Sequence, residues 1–131
     1  MERDPGIDKP GGGTLRCEIF PADLDKTVDF YTDVLRFDVE RDERGAVSPY
    51  VALRRGNVRL GAAARPAPPS ILERRPPTGV ELVLEVDDVV AEHEHVRARW
   101  SLDAPLTLAP WGLWDFRLLD PSGYYWRITS S

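Results

Sequence analysis

The chain has 131 residues, 42% hydrophobic and 30% charged, enough for one compact domain or two half-size modules sharing a core. No apolar run reaches membrane-span length and no leader pattern opens the chain, so the expectation is a cytoplasmic protein with no membrane partner. The net charge of −5 comes without a basic stripe, which argues against a nucleic-acid partner, and the single cysteine, Cys17, excludes an internal disulfide and a cysteine-based zinc site.

Residues 1–13 carry Pro5, Gly6, Pro10 and the run Gly11-Gly12-Gly13 with no apolar period, which predicts a flexible tail. Residues 14–20 alternate and read as a strand. Leu15, Cys17 and Ile19 point to a core, and Arg16, Glu18 and Phe20 share the opposite face. A thiol beside Ile19 is read as buried and inert. Asp23 then caps a helix of about a dozen residues on which Leu24, Val28, Tyr31 and Leu35 form one stripe. Phe37-Asp38-Val39 opens a second strand, and residues 50–53 and 58–61 make a hairpin around Arg55-Gly56-Asn57.

Residues 65–79 hold five of the twelve prolines, and proline does not sit inside a central strand, so this stretch reads as a linker. The pattern then restarts. In residues 80–86, Val80, Leu82, Leu84 and Val86 face the core and Glu81, Val83 and Glu85 face away. Asp87 and Asp88 open a helix carrying Val89, Val90, His93, Val96 and Trp100, and residues 106–108 form a strand. Two closing strands flank an Asp120-Pro121-Ser122-Gly123 turn, where proline presets the second position and glycine closes it. Trp114, Phe116, Leu118, Trp126 and Ile128 read as core, and Asp115, Arg117, Tyr125, Arg127 and Thr129 as the other face. The order βαβββ thus occurs twice at a spacing of about 65 residues, with Gly56 and Gly123 at matching turns. This predicts an α+β fold of two βαβββ modules, residues 14–64 and 80–131, building a curved eight-stranded mixed sheet.

Some signals are weaker than they look. His93 and His95 lie two apart on a helix and point away from each other, which reads as a solvated face rather than a metal pair. Arg54-Arg55 and Arg74-Arg75 read as solvent-exposed pairs. The triple glycine lacks the Lys-Ser/Thr of a phosphate loop.

The run from Phe20 through Asp23-Leu24 and Phe30-Tyr31 to Leu35-Arg36-Phe37, with Arg36 at the usual exit glycine, resembles the first strand-to-helix segment of the vicinal oxygen chelate superfamily. That superfamily includes glyoxalase, the bleomycin-resistance proteins and the extradiol dioxygenases. Pro110-Trp111-Gly112 leading to Asp115-Phe116, followed by Asp120-Pro121-x-Gly123, is most similar to its bleomycin-resistance branch. The resemblance implies four inward positions that carry His or Glu metal ligands in the enzymes. Here they fall at Arg16, at Leu60 or Gly61, at Glu81 and at Arg127. Arginine does not ligate a cation, and Leu or Gly has no donor, so no metal and no cofactor are expected.

Arg16, Glu81 and Arg127 are expected to converge at the vacated position as a paired cluster that either plugs it or contacts ligand. Around it Trp111, Phe20, Tyr50 and Tyr125 supply aromatic faces, and Glu18, Glu85 and Asp115 supply carboxylates, a combination suited to a planar cation. Trp111 reads either as a stacking platform or as a structural residue at a glycine bend. The resemblance implies a non-catalytic homodimer that sequesters an aromatic small molecule such as an antibiotic. The alternative is an atypical lyase or isomerase using Glu81 or Glu18 as general base.

Overall fold

A computed structural model of the chain describes residues 12–65 and 79–130. The expected tail over residues 1–13 and linker over 65–79, with Arg74-Arg75, fall largely outside those residues. The first module runs β1 (Arg16–Ile19), α1 (Leu24–Asp29), a π-helical turn (Phe30–Val34), β2 (Asp38–Glu43), β3 (Tyr50–Arg55) and β4 (Val58–Ala63). The second runs β5 (Leu82–Val86), α2 (Val89–Arg97), β6 (Ala104–Leu108), β7 (Trp114–Leu119) and β8 (Tyr125–Ser130). The eight strands divide into two four-stranded mixed sheets of matching order, β1-β4-β3-β2 and β5-β8-β7-β6. In each, the first strand pairs in parallel with the last and the others are antiparallel. Among the described residues no helix is long and apolar enough to cross a membrane.

Local chemistry explains the boundaries. The Asp23 carboxylate accepts from the Lys26 amide at 3.0 Å, and Asp88 does the same for Ala91, so each helix begins on an aspartate that satisfies an otherwise orphaned N–H. Arg36, at the exit after the π-helical turn, has φ +57°, the left-handed region that glycine enters without strain. The Arg36 side chain donates to Glu92 at 2.7 Å, a contact glycine could not make. At the closing turn, Asp120 Oδ1 accepts from the amides of Ser122 and Tyr124, and Gly123 has φ +83°. Asp120 Oδ2 accepts from the buried Tyr31 hydroxyl at 2.6 Å, which in turn accepts from the Trp126 indole at 3.0 Å. The Phe-Tyr helix motif and the Asp-Pro-x-Gly turn are therefore two ends of one buried network. Burial first, and then the Asp120 carboxylate, push the Tyr31 phenol well above its ordinary range, so it stays a donor.

One core serves both modules. Ile19, Leu53 and Leu60 of the first sheet belong to the same buried cluster as Leu84, Phe116 and Ile128 of the second, with Val28, Tyr31 and Val96 between them in sequence. Phe30 meets Trp100 edge-on at 4.8 Å across the modules. Glu92, its side chain only 3% exposed, receives Arg55 through two hydrogen bonds and Arg36 through a third. Burial raises the Glu92 carboxyl, but the two guanidiniums outweigh that and hold it below its ordinary value.

The structure corrects several expectations. Leu15 and Val80 are exposed because they precede the strands that actually form, and Val90 lies on the outer side of α2. Trp114 opens β7 opposite Leu108 of edge strand β6, and at 48% exposure it lies outside the core. Arg55 is no solvated turn residue, since it ties the modules through Glu92. Nor do the histidines line a solvated face: His93 packs against Phe116 at 5.3 Å, and His95 Nε2 lies 3.0 Å from the Asp33 carbonyl oxygen. Cys17 is half-buried, and its thiol is pushed up by burial and by Glu18, which leaves little thiolate.

Candidate ligand-binding site

Each sheet turns one face to the shared core, so strand alternation sends the other face away from it. On the first sheet, registered neighbours Arg16, Arg59 and Arg54 share that outer face, and so do Glu18, Gly61, Ala52 and Arg41 one step along. On the second, Val83, Arg127 and Arg117 form one row and Glu85, Thr129 and Asp115 the next. A single chain therefore presents two outward faces, one per sheet, each a candidate half-site.

The second half-site is built around Arg127. Its Nε donates to Glu81 at 2.8 Å, and its guanidinium carbon lies 5.2 Å from the centre of the Trp111 ring. Arg117 approaches Glu81 and Asp115, at 3.8 Å in each case. Asp115 is 6% exposed, and its Oδ2 makes no hydrogen bond among the described residues, with Arg127 at 4.0 Å. Val83, Glu85, Trp111, Leu113, Arg127 and Thr129 line a cavity of about 380 Å³. Trp111 itself is 56% exposed, held at the bend where Gly112 has φ +92°. Tyr125 lies in this face by register but is buried, its hydroxyl bonded to Arg117 and Asp103, and burial raises its phenol.

The first half-site is separate. Arg16 Nε contacts Glu18 at 2.7 Å, and the Tyr50 hydroxyl donates to Glu18 at 3.1 Å. Gly61 makes this possible, because a Cβ there would collide with both the Glu18 carboxylate and the Tyr50 hydroxyl. Burial and the Glu18 carboxylate raise the Tyr50 phenol. Arg41 stacks over the Tyr50 ring at 5.4 Å. Phe20 lies past the end of β1 and carries the Arg65 guanidinium over its ring at 4.6 Å.

Of the expected cluster, then, Glu81 and Arg127 meet. Arg16 does not join them within one chain, because it sits on the other sheet and binds Glu18. Sequence reading missed Arg117 as a second partner of Glu81, and it missed Glu92 altogether. Apolar periodicity in α2 gives no sign that one of its carboxylates is buried. The four positions at which the resemblance implies metal ligands do not fit a metal, since Glu81, the one carboxylate among them, is already engaged by Arg127 and Arg117. Among the described residues no group of three or more His, Cys, Asp or Glu could hold an ion. Larger grooves lie on the helical side, one of about 780 Å³ along Lys26, Phe30, Arg36, His95 and Trp100, away from both sheet faces.

The family model for the Glyoxalase/Bleomycin resistance protein/Dioxygenase superfamily matches residues 13–128. Among solved structures, the chain is similar to TioX from Micromonospora sp. ML1, at 22% identity over 91% of this chain and 98% of that one, with a TM-score of 0.72. It is similar to the bleomycin-binding protein of bleomycin-producing Streptomyces verticillus, solved with copper(II)-bleomycin, at 22% identity over 94% and 99%, TM-score 0.71. A bleomycin resistance determinant encoded on the transposon Tn5 matches at 20% identity over 92% and 98%, TM-score 0.70. No curated protein matches the sequence.

Proposed function

The chain belongs to the Glyoxalase/Bleomycin resistance protein/Dioxygenase superfamily, and within it we propose a metal-independent cytoplasmic protein that binds and sequesters an aromatic small molecule, an antibiotic or a metabolite. The observation that carries this reading is Trp111, a half-exposed indole at the mouth of a cavity that also contains Glu85 and Arg127. An exposed tryptophan beside a concave, partly apolar wall is costly unless something covers it. Glu81 and Glu18 are each engaged by arginine, which supports binding rather than base catalysis. With Glu18 and Glu81 so occupied, Glu85 is the carboxylate in the cavity wall open to a cationic group on the ligand.

Two outward half-sites per chain also support a homodimer, in which the first half-site of one copy closes over the second half-site of the other. Arg16, Glu18, Phe20 and Tyr50 would then join Glu81, Glu85, Trp111, Asp115, Tyr125 and Arg127 around one ligand. A thermal-shift screen in EDTA with intercalating and glycopeptide antibiotics tests the proposal. A saturable rise in Tm with at least one aromatic member is expected. Stabilisation that requires added divalent metal would overturn it.

A further inference from the structure

We propose that the first half-site contains a pocket for an oxyanion, so that the ligand carries a carboxylate or phosphoryl group as well as an aromatic ring. The inference rests on the sequestration reading and specifies its ligand. A cavity of about 290 Å³ opens on the outer face of the first sheet, lined by Arg16, Arg41, Arg59, Tyr50, Glu40 and Ala52. Three guanidiniums face one carboxylate there, and that carboxylate, Glu40, is already held by Arg54 at 2.9 Å. Arg16 and Arg41 each have an acidic partner, Glu18 and Glu43, outside the lining.

Arg59 is different. Among the described residues it has no carboxylate partner, and its one hydrogen bond runs from Nη1 to the Thr14 hydroxyl at 3.1 Å. With no carboxylate among the described residues to compensate it, this guanidinium is matched best by a carboxylate or phosphoryl group, which arginine's planar fork holds through two N–H donors. The neighbouring small residue Ala52 leaves the floor open, while Tyr50 beneath Arg41 keeps that second guanidinium over the cavity.

The test is calorimetric titration with inorganic phosphate at ionic strength fixed by chloride, with parallel titrations of benzoate and phenyl phosphate to distinguish the carboxylate from the phosphoryl source. Saturable binding of at least one of the three is expected. Arg59→Gln should weaken it about tenfold or more, the scale of one lost charge-assisted hydrogen bond, with an intermediate loss in Arg59→Lys. Arg97→Gln, at an exposed α2 arginine paired with Glu94, should leave phosphate binding unchanged, which separates this pocket from a general loss of positive charge. If no oxyanion binds above the chloride background, or if Arg59→Gln and Arg59→Lys bind as wild type does, the pocket is refuted, even where aromatic antibiotics still bind. Oxyanion binding without any aromatic binding would instead remove the sequestration reading and leave the pocket standing.

Discussion

Glu92 is the residue on which the joining of the two modules most depends. It accepts three hydrogen bonds from Arg36 and Arg55 in a nearly solvent-free position. Glu92→Ala strands two cations at the module interface and is expected to cost about 3–5 kcal/mol in chemical denaturation. The pairing also sets a pH dependence. The folded Glu92 has a lowered pKa, so its contribution is fully present above the ordinary glutamate value and is lost as pH falls below about 4. A urea midpoint that drops in this window in wild type, with a shallower drop in Glu92→Gln, is the expected result. Glu81 is different in degree, because it and Arg127 are partly solvated. Glu81→Ala is expected to cost about 1–2 kcal/mol, below the range of a fully buried pair. Trp111 makes few demands on the fold, so Trp111→Ala should barely move Tm.

Among the elements, the closing turn matters most. Asp120 accepts from two turn amides and from Tyr31, which ties the last hairpin of the second module to the helix of the first. Tyr31→Phe removes a donor from Asp120 and an acceptor from Trp126, and about 1–3 kcal/mol of destabilisation is expected by thermal melting. Both motif fragments were legible because they are contiguous: aspartate caps, a Phe-Tyr pair and an Asp-Pro-x-Gly turn are local signals. The strand faces were legible for the same reason, since alternation assigned Glu85, Asp115 and Arg127 to one side, as the register shows, and Glu81, just before β5, meets Arg127. What the sequence hid was long-range. Nothing local marks Arg55 as the partner of Glu92, 37 residues away, or separates an arginine with a carboxylate from Arg59, which lacks one among the described residues. Within one chain, Arg16 and Glu81 stay apart for a similar reason. Alternation gives the face of a strand, but not which sheet that strand belongs to.

At the scale of the whole molecule, the two sheets share one core and turn their other faces, the proposed half-sites, outward. Edge strands β2 and β6, with their half-exposed apolar neighbours, leave unpaired backbone that a second copy could cover. Sedimentation equilibrium at micromolar concentration should therefore give a dimer mass. A monomer would remove the intersubunit pocket. The most direct test of the account is a tryptophan-fluorescence titration of wild type and Trp111→Ala, in EDTA, with the antibiotic that gives the largest thermal shift. The account predicts saturable quenching at micromolar or tighter affinity in wild type, and a loss of about tenfold or more in Trp111→Ala at unchanged Tm. Equal affinity in the two proteins, or a Trp111→Ala variant that is destabilised while binding as wild type does, would contradict it.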